Sequence, residues 1–262
     1  MSEPSAAQPT VCLEIREGIA YLTMNRPQAA NSMNRAFGRD FLDAALAAGA
    51  STVRAIVLRG EGKHFCFGGD LKAMIGADSD LGDYLVDLTT NLHAGIAHLA
   101  RAAAPVIAAV NGTAAGAGLG LVLAADLAIA ARSAKFAPAY TGVGLTPDAG
   151  CTHHLPRVVG AKRAMELLLT NRVLDAEEAL AWGIVNRVVD DAALGEETDA
   201  LAARIAAGPT GAHRRLKRLF ADADAGFEAQ LARESRAIAA QGVSEEGREG
   251  IAAFLEKRSP RY

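Results

Sequence analysis

The chain has 262 residues, half of them hydrophobic, which predicts one or two globular domains with a large core. A formal net charge of -3 argues against nucleic acid as the main partner, because phosphate binding needs a concentrated basic surface. Three cysteines, odd in number and far apart, fit a reducing compartment, and no apolar run is long enough to span a membrane. We therefore expect a cytoplasmic protein with no nucleic-acid or membrane partner.

The N-terminal part predicts a tail followed by a β-hairpin. Residues 1–10 are polar, contain two prolines and lack the basic and apolar regions of a signal peptide, so we expect a disordered tail. Val11–Arg16 and 19–25 alternate apolar with polar residues and are separated by a Glu-Gly pair. This pattern is typical of two strands that pair across a tight turn.

Strands and helices alternate through the middle of the chain. A helix capped at Ser32 or Asn34 is expected to end near Ala48, and a second helix is expected over 82–103. Buried strands are predicted at 53–58, 105–110 and 127–130. This alternation predicts an α/β fold with much parallel pairing, and the wholly helical pattern after about residue 192 predicts a helical unit beyond Gly208-Pro209.

Two glycine-rich stretches lie where a predicted strand leads into a predicted helix. The first is Gly68-Gly69-Asp70 and the second is 111–120. Small residues let a ligand press against backbone N–H groups near a helix N-terminus, where negative charge is stabilised. Two such donors that converge on one ester or thioester carbonyl would form an oxyanion hole. The alternative is that the glycines only permit close packing, and the residues alone leave both interpretations open.

A nucleotide-binding loop is a further interpretation of the second stretch. Residues 116–120 contain three glycines, but Leu121 stands where the dinucleotide fingerprint has its last glycine. The chain also has no Gly-Lys-Ser/Thr sequence of the kind that holds nucleotide phosphates. These departures make the nucleotide interpretation the weaker one.

Five segments resemble the crotonase (enoyl-CoA hydratase/isomerase) superfamily in order and spacing, namely 65–71, 105–126, 144–150, 155–160 and 179–185. The pattern is closest to the branches of the ring-forming isomerase of phenylacetate degradation and of 4-chlorobenzoyl-CoA dehalogenase. The resemblance implies a crotonase (ClpP-like) spiral of ββα turns over 11–207 and a helical trimerisation region over 208–262. It also implies a homotrimer or a dimer of trimers that takes its substrate as a coenzyme A thioester, with no permanently bound cofactor and no metal.

The resemblance further implies roles for individual residues. The oxyanion donors match the backbone N–H groups of Gly69 and Ala117, and Ala117 stands where many relatives have glycine. A negative φ allows a Cβ at that position. Substrate binding is expected from Gly68, Asp70, Lys72 and Tyr140, together with Phe254 and Lys257, which match positions that contact coenzyme A bound to a neighbouring subunit. Lys72 could equally be a solvated lysine.

The two glutamates with which relatives add water are missing from this sequence. The matching positions hold Gly120 and Tyr140, and neither side chain exchanges a proton at neutral pH. Asp148 is the candidate replacement, because relatives that shift double bonds carry an acid at this position. An aspartate that follows a proline could instead cap a helix. We therefore expect isomerisation through an enolate, with Asp148 as the acid and base.

Two other functions stay open. The segment 126–188 also resembles 4-chlorobenzoyl-CoA dehalogenase, in which Asp148 matches the nucleophile, His93 the base that activates water and Tyr140 an aromatic that positions the nucleophile. A lone histidine on a helix is, however, more often a packed or surface residue. The third possibility is a catalytically silent member that only binds coenzyme A thioesters. Cys66 and Cys151 have no base near them in sequence and are expected to be small core residues.

Overall fold

The computed structural model describes residues 8–77, 80–221, 223 and 226–262. Most of the predicted tail, residues 1–7, therefore lies outside the described residues. At the end of that tail, Thr10 donates hydrogen bonds from its N–H and its hydroxyl to Asp40 Oδ2, at 2.8 and 2.6 Å. The structured chain therefore includes Thr10, immediately before the first strand.

The strands of the described chain form two sheets. They are β1 (Val11–Arg16), β2 (Ile19–Met24), β3 (Ala55–Gly60), β4 (Val106–Val110), β5 (Ala114–Ala115), β6 (Leu127–Ala131), β7 (Lys135–Ala137), β8 (Leu174–Asp175) and β9 (Arg187–Val189). The larger sheet has the order β1-β2-β3-β4-β6-β9, and within it only β1 and β2 pair antiparallel. The smaller sheet has the order β5-β7-β8, and two isolated bridges, Met33 to Gly69 and Cys66 to Ala114, form beyond the two sheets.

The helices surround these sheets. They are α1 (Arg35–Ala48), α2 (Leu71–Ile75), α3 (Leu81–Arg101), α4 (Ala117–Ala124), α5 (Cys151–Val159), α6 (Ala161–Thr170), α7 (Ala176–Ala181), α8 (Leu194–Ala206), α9 (Thr210–Ala221), α10 (Phe227–Gly242) and α11 (Glu245–Leu255). Within the described ranges, no helix is both long and apolar enough to cross a membrane.

The order of elements along the chain repeats a strand, a second strand and a helix. β4 of the larger sheet is followed by β5 of the smaller sheet and then by α4, and β6 is followed by β7 and then by α5. The preceding turn has β3, then the bridge residue Cys66, and then α2. Successive turns therefore stack their first strands side by side in parallel and bring their strand-to-helix junctions together. This is the ββα spiral that the sequence resemblance implied.

The central strands of the larger sheet are buried on both faces, whereas the edge strand β1 exposes residues 14–16. In β3, Ile56 and Leu58 belong to the main core with α1, α3 and α4, whereas Ala55 and Val57 face a second cluster that α8 covers. Because neither face of these central strands contacts water, their sequences are continuous apolar runs, which is typical of parallel strands. α8 thus belongs to the core.

The predicted elements are confirmed with small shifts at their ends. The hairpin pairs Val11 with Met24, and the cap of α1 is Asn34 rather than Ser32, since Asn34 Oδ1 accepts the N–H of Phe37 at 2.9 Å. The predicted strand 53–58 begins two residues later, at Ala55, and continues to Gly60.

The C-terminal helices are joined to the core by one buried lysine. Lys217 on α9 is 7% exposed at its side chain and forms an ion pair with Asp126 at 2.8 Å. Its ammonium group also donates to the carbonyl oxygens of Leu99 and Ala104, both at 3.1 Å. Burying a charge is costly unless it is paired and hydrogen-bonded, and both conditions are met here. Elsewhere α9 to α11 expose large apolar side chains, namely Leu216, Phe220, Phe227, Leu231, Ile238, Ile251, Phe254 and Leu255.

Candidate active site

The first glycine-rich junction leads from the bridge residue Cys66 into α2. Gly68 has a φ of 77°, a conformation that glycine adopts without strain. The Met33 N–H donates to the Gly68 carbonyl at 2.7 Å, and the Asp70 N–H donates to the Met33 carbonyl at 2.9 Å. These bonds hold the peptide on either side of Gly69, whose own N–H has no acceptor among the hydrogen bonds of the described chain. Gly69 therefore presents a backbone donor that is held in place but not used.

Asp70 performs a structural task at this junction. Its carboxylate accepts the N–H of Ala73 at 3.1 Å and so caps α2, and it pairs with Arg26 at 2.9 Å. Burial raises the pKa of Asp70, but the bonds from Ala73 and Arg26 outweigh it and the pKa is lowered. Both oxygens are thus engaged by protein groups. Lys72, the second residue of the same helix, is exposed.

The second junction leads from β5 into α4. Gly116 makes the turn with a φ of 53°, and Ala117 is the first residue of the helix. Ala117 is absent from the residues with positive φ, so its Cβ is accommodated as the sequence predicted. The first N–H groups of a helix have no intrahelical acceptor, and the described chain supplies none to Ala117. The helix N-terminus therefore offers a second unused donor.

The two junctions lie directly against each other. The Cys66 N–H donates to the Thr113 carbonyl at 3.1 Å, and the Ala115 N–H donates to the Cys66 carbonyl at 2.8 Å. A Cβ built on Gly68 would lie 2.9 Å from the Ala115 oxygen and 3.1 Å from the Ala117 nitrogen. Only glycine fits there. Gly69, which follows Gly68 in the chain, and Ala117 therefore lie close together, and neither N–H has an acceptor within the described chain.

Asp148 lies on the turn before α5, beside a buried tyrosine. The Tyr140 hydroxyl donates to Asp148 Oδ1 at 2.6 Å. Burial, together with the nearby Cys151 and Asp148, raises the pKa of Tyr140, so its hydroxyl stays protonated and serves as a donor. α5 begins after Gly150 with no side-chain cap, so the alternative that Asp148 caps this helix is wrong. The carboxylate is thus not used as a helix cap.

The second oxygen of Asp148 faces His93 on α3. His93 Nε2 lies 3.8 Å from Asp148 Oδ2 and accepts the N–H of Ala149 at 3.1 Å. The two side chains are 46% and 28% exposed, respectively, so a substrate can reach them. The structure therefore brings together the two candidate catalytic side chains, although they are 55 residues apart in the chain.

Gly120 shows why the first hydratase glutamate has no place in this packing. A Cβ on Gly120 would lie 2.6 Å from the Ala149 Cβ and 2.7 Å from the Ala149 carbonyl oxygen. Both distances are shorter than those of non-bonded heavy atoms in contact. Position 120 therefore has no space for a side chain where α4 packs against the Asp148 turn. α4, which begins at Ala117, therefore supports the turn that carries Asp148.

Tyr140 lies between the Asp148 turn and the second junction. A Cβ on Gly116 would lie 3.9 Å from the Tyr140 Cζ, and the Tyr140 hydroxyl lies 3.8 Å from the Cys151 Sγ. Cys151 and Cys66 are fully buried, and burial raises the pKa of each thiol to about 12. Such thiols stay protonated, which fits the predicted packing role.

Phe254 and Lys257 lie far along the chain, at the end of the C-terminal helices. Phe254 is 83% exposed on α11, which packs against α10, and Lys257 is also exposed. Their assignment to the coenzyme A of a neighbouring subunit stays a prediction.

Sequence reasoning missed three residues that shape the site. Arg26 holds Asp70, and Ala149 joins His93 to the Asp148 turn. Asn31 is fully buried and donates from its side chain to the carbonyls of Glu61, His64 and Phe65, in the loop that precedes the first junction. A buried asparagine has no pattern of its own in sequence. Only the neighbouring Arg-Pro turn indicated a break in secondary structure there.

The fold agrees with comparisons to known proteins. A sequence model described as enoyl-CoA hydratase/isomerase matches residues 14–262. The solved structure of an enoyl-CoA hydratase from Mycobacterium smegmatis superposes with a TM-score of 0.91 at 36% identity, covering 97% of this chain and 99% of that one. The chain belongs to the enoyl-CoA hydratase/isomerase family and has the crotonase fold.

Relatives within the family carry different names. A Rhodobacter capsulatus protein named "Probable enoyl-CoA hydratase" is 44% identical over 97% of both chains. The 1,2-epoxyphenylacetyl-CoA isomerase of Escherichia coli is 40% identical over 95% of this chain and 96% of its own length. A 4-chlorobenzoyl coenzyme A dehalogenase from Arthrobacter is also 40% identical, over 76% of this chain and 73% of its own. The chain is thus an acyl-CoA enzyme of this family, and similarity alone does not select among these reactions.

Proposed function

We propose that the protein isomerises the double bond of an enoyl-CoA, with Asp148 as the acid and base. One observation carries this proposal. Asp148 has one oxygen held by Tyr140 and the other accessible, while Gly120 and Tyr140 occupy the positions of the two hydratase glutamates. A single carboxylate beside an oxyanion site suffices to move a proton between two carbons.

The proposed reaction begins from a 3-enoyl-CoA whose thioester oxygen accepts the N–H groups of Gly69 and Ala117. Asp148 takes a proton from the α carbon, and the C–H electron pair becomes part of a dienolate whose charge rests on the thioester oxygen. The dienolate then collapses, the double bond moves from the β,γ to the α,β position, and Asp148 returns the proton to the γ carbon. No atom is gained or lost, so no co-reactant is required.

Hydration needs a further acid or base that is absent from the two expected positions. Water addition uses one group to activate water and another to exchange the α proton. Gly120 has no side chain, and the Tyr140 hydroxyl, with its pKa raised by burial, already donates to Asp148. The name of the Rhodobacter capsulatus relative favours hydration, whereas the residues at these two positions favour isomerisation.

Hydrolytic dehalogenation of an aromatic acyl-CoA is the second candidate, and the 3.8 Å approach of His93 Nε2 to Asp148 Oδ2 favours it. In that reaction Asp148 would attack the ring carbon that bears the halogen, halide would leave, and water activated by His93 would hydrolyse the aryl ester. A silent member that only binds coenzyme A thioesters is the third candidate.

We also propose that coenzyme A is the carrier of the substrate and not a resident cofactor. Gly68 and Asp70 would shape the channel beside Gly69, Tyr140 would line the acyl pocket, and the exposed Lys72 would approach the phosphates. Phe254 and Lys257 would reach the coenzyme A of a neighbouring subunit, which requires a homotrimer or a dimer of trimers.

Exposed apolar surface supports this assembly. Leu216 and Phe220 on α9 are 54% and 77% exposed and border a cavity of about 790 Å³ at the end of α4 remote from Ala117. Exposed apolar patches of this kind mark interaction sites. Sedimentation should therefore give three or six chains per particle, and a monomer at working concentration would contradict the assembly.

Three substrates distinguish the candidate reactions. The purified enzyme is given a 3-enoyl-CoA, a 2-enoyl-CoA and a 4-halobenzoyl-CoA, and the products are separated by chromatography. We expect isomerisation of the first, little water addition to the second and no halide from the third. Efficient hydration would refute the argument from Gly120 and Tyr140. Halide release that needs both Asp148 and His93 would favour dehalogenation, and binding without turnover would favour the silent member.

A further inference from the structure

We propose that His93 is a positioning residue that holds the Asp148 turn through the Ala149 amide and carries no proton in the reaction. This inference rests on the proposed function of Asp148. It changes the role that the dehalogenase resemblance suggested for His93, and it selects Asp148 Oδ2 as the reacting oxygen.

The Nε2 lone pair of His93 is already occupied. The Ala149 N–H donates to it at 3.1 Å, which is a normal hydrogen-bond length. An imidazole nitrogen that accepts a bond carries no hydrogen, so neutral His93 must have its proton on Nδ1. To take a proton from water through Nε2, His93 would first have to release the Ala149 amide. The geometry therefore disfavours a base at this nitrogen.

The bonded amide belongs to the peptide that joins Asp148 to Ala149. Ala149 has a φ of 50°, a left-handed conformation that is uncommon for a residue with a side chain. It is fully buried, and its Cβ and carbonyl oxygen face Gly120. Contact with α4 on one side and the bond to His93 on the other hold this peptide in its conformation. Rotation of the same peptide would swing the Asp148 carboxylate away from the site.

The two oxygens of Asp148 have different surroundings. Oδ1 accepts the Tyr140 hydroxyl at 2.6 Å, whereas Oδ2 is 3.8 Å from His93 Nε2, beyond hydrogen-bond distance. Since neutral His93 has no hydrogen on Nε2, it donates no hydrogen bond to Oδ2. The lone pairs of Oδ2 thus remain available to the substrate, and Oδ2 is the oxygen that transfers the proton.

Substitutions at His93 separate positioning from proton transfer. His93→Gln keeps an acceptor, because its amide oxygen reaches about as far as Nε2, but it cannot titrate. His93→Ala removes the acceptor. With a 3-enoyl-CoA, we expect the glutamine variant to keep kcat within about threefold, whereas kcat of the alanine variant falls roughly 10- to 100-fold with little change in KM, since displacement of a reacting group by about 1 Å can cost that much. His98→Gln on the same helix is the matched control and should leave both constants unchanged.

Two results would overturn the inference. If the glutamine variant loses as much activity as the alanine variant, His93 carries a proton. If the alanine variant is fully active, His93 positions nothing. Asp148→Asn in the same assay distinguishes a failure of this inference from a failure of the proposed function, because an active Asp148→Asn variant would contradict the proposed function itself.

A spectroscopic measurement tests the hydrogen bond independently of activity. Nitrogen-15 NMR of the labelled full-length enzyme, with His93→Gln used to assign the signal, reports which imidazole nitrogen carries hydrogen. For the neutral imidazole of His93, we expect hydrogen on Nδ1. Hydrogen on Nε2 would overturn the inference, whatever the kinetics show.

Discussion

The two halves of the candidate site are built from different parts of the chain. One half consists of backbone, the N–H groups of Gly69 and Ala117, which the close approach of two strand-to-helix junctions brings together. The other half consists of side chains, with Tyr140 and His93 on either side of Asp148. Backbone donors depend on the path of the chain, whereas the acid depends on the identity of individual side chains.

This difference predicts how each half responds to substitution. In the backbone half, a changed side chain should leave activity intact wherever there is space for it. Activity should be lost only where the new Cβ clashes with backbone atoms. The side-chain half should respond to every changed functional group. Substitutions at four positions test this contrast, in order of decreasing expected effect.

Replacing the acid should give the largest loss. In Asp148→Asn the side chain keeps its shape but cannot take the α proton, so kcat/KM for a 3-enoyl-CoA should fall by about 10³, within the range for a general acid–base group. Steady-state kinetics measure the loss. Asp199→Asn, at a half-exposed surface ion pair with Arg16, is the control and should keep full activity. A loss below about tenfold would assign the proton transfer to another group.

A side chain at Gly120 should disturb both halves at once. Gly120→Glu restores the family's acid in sequence, but its Cβ would lie 2.6 Å from the Ala149 Cβ. The Asp148 turn or α4 must then move, so isomerisation should fall on the order of 100-fold without a gain of hydratase activity. Chromatography of the products from a 3-enoyl-CoA and a 2-enoyl-CoA measures both reactions. Efficient hydration by this variant would show that the contact between position 120 and Ala149 can adjust to a glutamate side chain.

A matched pair of alanine substitutions isolates the steric part of that effect. Gly120→Ala should lower stability by roughly 1–3 kcal/mol, because overpacking forces a backbone shift. Gly195→Ala on α8 has no atom within 4 Å of the new Cβ and should be neutral or stabilising by about 1 kcal/mol. Denaturant unfolding measures both changes. Equal stabilities of the two variants would contradict the proposed contact with Ala149.

Removing the Tyr140 hydroxyl should have an intermediate effect. Tyr140→Phe keeps the buried ring but leaves Asp148 Oδ1 without its donor. A hydrogen bond to a charged group contributes about 1.5–3 kcal/mol, so kcat should fall roughly 10- to 100-fold while KM changes little. Kinetics on a 3-enoyl-CoA give the two constants. Unchanged kcat would mean that the Asp148 turn holds its carboxylate without Tyr140.

Shortening the side chain at Ala117 should have the smallest effect. Ala117→Gly keeps the N–H that faces the site and removes only a methyl group, so kcat/KM should change less than about threefold. Stability should fall by about 1 kcal/mol, the difference in helix propensity between the two residues. Kinetics on a 3-enoyl-CoA measure the change in kcat/KM, and a denaturant unfolding curve measures the change in stability. A large kinetic loss would show that the methyl group itself shapes the acyl pocket.

Local patterns predicted most of the fold because its elements are regular and their apolar faces are large. The hairpin, the long helix α3 and the buried central strands all follow from periodicity and turn residues. The spiral and the backbone donors came from the family resemblance, whose motifs lie at the strand-to-helix junctions. Asp148 and His93 were also identified from that resemblance, since neither residue stands out in its local sequence.

Local sequence patterns did not predict contacts between residues that are distant in the chain. The sequence predicts Asp70 as a site residue but does not show that it forms an ion pair with Arg26, 44 positions earlier. Likewise, no local feature of Asn31 shows that its amide holds three carbonyls more than 29 positions away. Pairings over such separations depend on how the spiral turns stack.

By itself, the sequence determined which groups are available: an unencumbered backbone at two junctions, one carboxylate at position 148, and no glutamate at positions 120 and 140. Tertiary structure alone decided how they are used. Gly120 lies against Ala149, Tyr140 donates to one oxygen of Asp148, and the Ala149 amide occupies His93 Nε2. The physical reason is that composition and spacing specify the chemistry a residue can perform, whereas hydrogen-bond partners and close contacts arise only when separate turns of the fold pack together.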